Sequence, residues 1–418
     1  MDKIFFLEKE NLRQVAKTYG TPLYIYSEKI IQEKAKILSE MPAPYGLTVR
    51  YAAKALTTRA IIKIIDKLGL HFDASSAWEA KRLMDAGIAP DKILLTSQEL
   101  SPFTKELIQA GIHFTAVSPR QLIFFGENFR GEKLSIRLNP GIGSGHVKRT
   151  NVAGTSSSFG FWYEKIPEIN KLLEKYQLTV ERIHIHIGSG SDPDVWKQVA
   201  AKALKLIECF PQARILNLGG GFKVARMPFE KDTDILALGK AVYFELEKFA
   251  AQTGRKLHLE IEPGTFLLAQ AGLLLSQVND KVDTGENGYT FLKLDSGMND
   301  ITRPTLYGVQ HPLMIVSQEP ERNEANTEKV IVVGHNCESS DILTPKPGNP
   351  EEADTVEIPE TLIGDYIVVG AAGAYVSAMS FANYNSFPRT PEILIQENGE
   401  IRLIRKAESL EMMIQNEL

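Results

Sequence analysis

The sequence predicts an α/β protein, a (β/α)8 barrel joined to a mainly antiparallel β-domain. Three observations carry that expectation. Between about residues 45 and 280, short apolar runs alternate with helix-length amphipathic segments eight times. After Gly285 strand-like runs follow one another without long helices between them. The 418-residue length accommodates one barrel plus an appendage.

The eight runs read as strands are Val49–Ala53, Leu70–Ala74, Ile93–Thr96, His113–Val117, Leu134–Leu138, Arg182–Ile187, Ile215–Leu218 and Leu257–Ile261. Each is short, partly β-branched or aromatic, and followed by a turn or cap signal. Between them, Thr58–Lys67 repeats apolar residues at helical spacing and Gly69 can end it. Ser101-Pro102 reads as an N-cap with proline at N1, opening a helix that Gly111 ends. Periodicity alone leaves an open doubly wound sheet as the rival. In the second part, Phe291–Leu294, Leu313–Ser317, Val330–Val333 and Tyr366–Val369 read as strands. Ile393–Gln396 and Ile401–Ile404 flank the hairpin signal Asn398-Gly399. Lys346–Glu351 reads as an exposed loop. The expected division is a barrel over 26–284 and a β-domain over 285–418, completed by residues 1–25.

Composition narrows the function. The net charge of −5 and the lack of a Lys/Arg block disfavour nucleic acid and anionic membranes as partners. No stretch of about 18 apolar residues predicts a membrane span. Two cysteines, Cys209 and Cys337, make neither a disulfide framework nor a zinc spacing, so no metal is expected. With no signal-peptide pattern after Met1, the cytoplasm is the expected location.

Barrels of this type carry their chemistry at the C-terminal ends of the strands. There the sequence places Lys54, Asp73, Arg137 with Asn139, His186 before Gly188-Ser189-Gly190, Gly219-Gly220-Gly221, and Glu262-Pro263-Gly264. Lys54, among apolar neighbours at the end of the first strand, suits an imine with an aldehyde cofactor, although a single lysine is more often a solvated amine. Gly219–Gly221 suits an anion held by inward-turned N–H groups, or equally a tight turn. Glu262 could keep a proton on a pyridine nitrogen, or be a satisfied structural carboxylate. Of His184 and His186, one is expected to face the barrel interior, with His184 the core histidine.

In matching order over roughly residues 20–410, these motifs resemble the fold-type III pyridoxal-phosphate (PLP) decarboxylases, relatives of alanine racemase. The motifs are Tyr51–Ala55, Arg137–Gly141, Ser158-Phe159-Gly160, His186–Gly190, Gly219–Phe222, Glu262–Gly264, Arg303–Tyr307, Cys337–Asp341 and Gly373-Ala374-Tyr375. Arg303–Tyr307, Cys337–Asp341 and Met379–Asn385 resemble the diaminopimelate decarboxylase branch. The resemblance implies a PLP-binding barrel that converts meso-2,6-diaminopimelate to L-lysine and CO2. It implies Lys54 as the cofactor's Schiff-base lysine and His186 stacked on its ring. Asp73, Ser189, Gly219, Gly220, Gly221, Pro263, Gly264 and Tyr375 would also hold the cofactor, with Glu262 on its ring nitrogen. Arg303, Tyr307 and Tyr375 would meet the substrate, and Glu338 its distal ammonium. Cys337 would reprotonate the product carbon from the partner subunit of a homodimer.

The chain departs from that pattern at Thr265, where the family has a substrate-binding arginine. This keeps open a decarboxylase of a related diamino acid or conjugate. Leu56 and His335-Asn336 also differ from the family's usual residues, at the edge of the site. An amino-acid racemase on the same barrel is the alternative of another class; Cys337 and Arg303–Tyr307 favour decarboxylation over it. A barrel-only PLP carrier is disfavoured by the long β-rich segment.

Overall fold

The computed structural model describes residues 4–143, 153–186, 188 and 193–418. The chain divides into two compact units. One comprises 32–224 and 231–267, and the other 1–31, 225–230 and 268–418.

The first unit is a closed barrel of eight parallel strands: Leu47–Ala52, His71–Ala74, Ile93–Leu95, His113–Ala116, Lys133–Asn139, Thr179–His184, Ile215–Asn217 and His258–Ile261. Each pairs with its sequence neighbour, and the last pairs with the first through Leu259↔Leu47 and Ile261↔Val49. Closure excludes the open sheet. All eight expected strands are present, with shifted ends. The sixth begins at Thr179, and its pairing with the fifth shifts register at Glu181, which is left without a ladder partner between Leu134↔Val180 and Ser135↔Arg182, so the polar residue that breaks the apolar run also marks an irregularity in the ladder. The helix expected from Ser101 begins at Thr104, since the Ser101 hydroxyl donates to Glu99 instead of capping the helix.

Side-chain alternation on strands stacks polar residues two apart in the barrel interior. The fifth strand contributes Ser135, Arg137 and Asn139, the sixth Arg182 and His184, the seventh Asn217, and the eighth Glu260. All are buried, where branched apolar residues ordinarily fill such a core. Glu260 anchors them. It accepts from Arg50 Nη2 at 2.8 Å and from Arg182 Nε at 2.8 Å, while Arg182 Nη1 reaches Ser135 Oγ at 2.7 Å. Burial alone would raise the Glu260 pKa. The two guanidiniums and their hydrogen bonds outweigh burial and bring it to about 2.

The second unit is built on a nine-stranded mixed sheet. Leu23–Ser27 lies at its centre, antiparallel to Gly272–Asp283 and parallel to Glu392–Ile395. The boundary expected at 284 therefore falls at 267. The apolar run Leu273–Leu275 reads like a barrel strand, but it pairs with Leu23–Ile25 of the β-rich unit. Helix Lys9–Tyr19 lays Leu12, Val15 and Ala16 on the same apolar core as Leu23, Ile25, Leu273 and Val368. The expected hairpin is present: Glu392–Ile395 pairs with Ile401–Arg405 across Asn398-Gly399, with Gly399 at φ +84°. The segment read as an exposed loop instead contributes to a small two-stranded ladder, Pro345–Lys346 with Asn349–Ala353.

Candidate active site

At the C-terminal mouth of the barrel the inner-face columns end in a compact polar group. Lys54 sits in a 3₁₀ turn, Ala53–Ala55, directly after the first strand rather than on it. Its side chain is exposed while Ala53, Ala55 and Leu56 are buried, so the expected apolar surroundings apply to its backbone and not to its amine. Its charge acts on Asp73, Glu79, His184 and His186. Glu79 belongs to a helix-capping arrangement: it accepts from Ser75 N at 2.7 Å, while Ser76 Oγ accepts from Glu79 N at 3.1 Å.

Two carboxylates in this group are driven apart. Burial raises the Asp73 pKa, and the nearby charge of Glu262 raises it further, against the pull of Lys54. Glu262 moves the opposite way. Burial would raise it, but His184, His186 and Asn217 together hold it well below the usual carboxylate range. Asn217 Nδ2 donates to Glu262 Oε1 at 2.6 Å, and His184 Nε2 lies 3.2 Å from Glu262 Oε2. The two environments thus push the pair in opposite directions, Glu262 toward the ionised form and Asp73 toward the protonated one.

Both histidines surround this carboxylate. Residues two apart on a strand share a face, so expecting only one of His184 and His186 to point inward was a mistake of parity. His184 is both a core histidine and a neighbour of Glu262. Burial, with Arg137 and Lys54 next, keeps His186 well below its usual pKa and hence neutral. Its Nδ1 accepts from Gly220 N at 3.1 Å, which puts the ring proton on Nε2.

The glycine turn works differently from the expected ring of inward N–H donors. Gly219 N–H is spent on Asn217 Oδ1 at 2.8 Å and Gly220 N–H on His186. Among the described residues, only Gly221 of the three has an N–H without a partner. The first two glycines are required for closeness. A Cβ on Gly219 would lie 2.5 Å from His186 Nδ1, and one on Gly220 would run into the carbonyl oxygen of Glu262. Trp196 Nε1 donates to Gly220 O at 3.2 Å from the outside. Pro263 and Gly264 are buried, and Pro263 O accepts from Ala52 N at 3.1 Å, tying the eighth strand's exit to the first. Ser189 lies outside the described residues.

The remaining expected residues lie in the β-rich unit. Arg303 opens the short helix Arg303–Tyr307, with its guanidinium 5.9 Å from the Tyr307 ring centre. Tyr375 influences Arg303 electrostatically and holds a left-handed backbone at φ +57°, an uncommon conformation for a bulky residue. Cys337 and Glu338 are exposed on a turn pinned by Asp341, which accepts from Asn336 N at 2.9 Å and Met298 N at 2.7 Å. Tyr384 donates to Glu338 at 3.2 Å. Thr265 begins a short helical turn, Thr265–Leu268.

Sequence reasoning missed Asn217, the role of His184, and the Arg50–Arg182–Glu260 network. A usable signal was present: polar residues at two-residue spacing along predicted barrel strands, as in Arg182-x-His184-x-His186 and Glu260-x-Glu262.

Comparison with known proteins agrees with this geometry. Residues 27–269 match the family described as pyridoxal-dependent decarboxylase, pyridoxal binding domain. The chain is 33% identical to diaminopimelate decarboxylase of Escherichia coli strain K12, over 99% of this chain and 97% of that protein. It is 31% identical to the Streptomyces coelicolor protein of the same name, over 99% and 92%. A crystal structure of diaminopimelate decarboxylase superposes with a TM-score of 0.89 at 32% identity, covering 99% of this chain and 97% of that one. The Helicobacter pylori enzyme complexed with L-lysine gives 0.84 at 26% identity, over 96% and 98%. The chain belongs to the pyridoxal-dependent decarboxylases and, among them, to the diaminopimelate decarboxylase family.

Proposed function

We propose that this enzyme removes one carboxylate of meso-2,6-diaminopimelate as CO2 and releases L-lysine, with pyridoxal 5'-phosphate as cofactor. The supporting observation is the cluster at the barrel mouth: Glu262 held by Asn217 and His184, His186 fixed by the Gly220 N–H, and the Lys54 side chain exposed just after the first strand.

These residues suit that cofactor. The Glu262 carboxylate would supply the counter-charge that a protonated pyridine nitrogen needs, and the neutral His186 imidazole would lie against an aromatic ring without adding positive charge. The glycines at 219 and 220 leave no side chain in the way. When bound, the cofactor supplies an electron sink for the bond to the departing carboxylate. Lys54 would hold the cofactor through its primary amine. His186 orients the ring face, and Glu262 keeps the ring nitrogen charged. Gly221, Pro263, Gly264 and Asp73 would line the cofactor's edges. Arg303, Tyr307 and Tyr375 bind substrate, and Glu338 takes its distal ammonium. Cys337 delivers the proton that replaces the lost carboxylate. Incubation of the PLP-loaded enzyme with meso-diaminopimelate should release CO2 and L-lysine in equal amounts. Absence of both products would overturn the reading.

The exposure of Cys337 and Glu338 on the single chain supports a homodimer in which each copy offers these two residues to the other. Lys54→Ala and Cys337→Ser, each inactive alone, should then complement when co-expressed. Random pairing makes half the dimers mixed with one intact site each, restoring about a quarter of full activity. No recovery would mean that each chain is self-sufficient. The cytoplasm is the proposed compartment, supported by two unpaired cysteines. Among the described residues, no helix is long and apolar enough to cross a membrane.

A further inference from the structure

Within the β-rich unit, Arg226 stands out. Its backbone is fixed: the N–H groups of Arg226 and Met227 both donate to Glu230 Oε2, at 2.8 and 3.0 Å, and Ala225 O accepts from Gln270 Nε2 at 2.8 Å. Its side chain is not similarly satisfied. Nε and Nη2 are buried without a hydrogen-bond partner among the described residues, and so is Nε of Arg303. The charge of Arg303 acts on Arg226. Burial brings the Arg226 pKa down to about 9, with the charge of Arg303 as the next cause and Glu230 as a partial offset.

The third member of the group is His311. Its Nδ1 lies 2.9 Å from Gly370 O and so carries the ring proton, while Nε2 is buried without a partner. Burial, Arg226 and Arg303 keep it neutral. Two like charges with unpaired buried donors, offset only in part by Glu230 and with a neutral His311 within their influence, form a site short of an anion. A planar guanidinium pair matches a carboxylate, which can accept two N–H bonds from each fork.

We propose that Arg226 and Arg303 together bind the carboxylate that the reaction leaves in place, and that Arg226 is a specificity-determining residue for it. The identity of that carboxylate rests on the diaminopimelate reading; the existence of the anion site does not.

The test is calorimetric, on the PLP-loaded enzyme, with L-lysine and 1,5-diaminopentane as probes. They share both amines and differ by the retained carboxylate. Arg226→Met should weaken L-lysine about 10- to 100-fold, the loss expected for one charge-assisted pair, and leave 1,5-diaminopentane within about twofold. The cofactor absorbance should not change. Arg226→Lys keeps the charge but loses the fork, and should weaken L-lysine to an intermediate degree; it carries the test if the methionine variant does not fold. Equal weakening of both probes, or of neither, overturns the proposal. If wild type ignores L-lysine, the diaminopimelate reading is at fault, and glutarate and inorganic phosphate become the probes. Glutarate binding lost in Arg226→Met then upholds the arginine pair. Failure to bind glutarate, or tighter binding of phosphate, overturns it.

Discussion

Lys54→Ala should lower the rate of CO2 release from meso-diaminopimelate by at least about 10³-fold and remove the visible absorbance that the lysine-bound cofactor gives the wild type. The expectation follows from position. The 3₁₀ turn after the first strand leaves the Lys54 side chain exposed, with its charge acting on Asp73, Glu79, His184 and His186. None of those neighbours can replace a primary amine that must form and release a bond to an aldehyde carbon. The fold should be unaffected, because an exposed side chain contributes little to packing. Far-ultraviolet circular dichroism and the melting temperature are the controls. Activity within tenfold of wild type would remove Lys54 from the mechanism.

Glu260→Gln should destabilise the protein by about 3–5 kcal/mol, because it leaves the buried guanidiniums of Arg50 and Arg182 facing a neutral amide. Urea denaturation at neutral pH measures this, and a loss under about 1 kcal/mol would contradict it. The sign of the pH dependence is also fixed. The Glu260 pKa falls from 4.5 in the unfolded chain to about 2 in the folded one. Its contribution is therefore complete above about pH 4.5 and is lost as pH falls through 2, amounting to about 3 kcal/mol. In Glu260→Gln this part of the acid limb should disappear, leaving a flatter stability curve between those pH values.

Much of the barrel was legible because each strand must be buried on both faces, which writes it as an apolar run. The same rule misled at Leu273–Leu275, where a central strand of the β-rich unit has the same signature and only pairing partners distinguish the two. Asn349–Ala353 was hidden by its turn-forming composition, since ladder hydrogen bonds leave no mark on side-chain pattern. At the site, Lys54, Asp73, His186 and Glu262 were visible as polar residues where apolar strands stop. Asn217 was not, because an asparagine before glycines reads as turn chemistry, yet it donates to Glu262 and accepts from Gly219. Arg226 was invisible for a simpler reason. One arginine in a loop is ordinary until the fold buries its donors beside a second arginine.

The side-chain amide of Asn217 lies between two acids, 2.6 Å from Glu262 Oε1 and 3.4 Å from Glu260 Oε2. One small dipole thus belongs both to the ion network of the barrel core and to the carboxylate at its mouth. Whatever tightens its grip at one end steadies the other. A cofactor that binds the folded chain acts as a folding ligand as well as a reagent: at a hundred times its dissociation constant, mass action alone adds about 2.7 kcal/mol to the folded state. Heat resistance becomes a gauge of how fully the enzyme is loaded, and starvation for the cofactor weakens the molecule itself before it merely idles it.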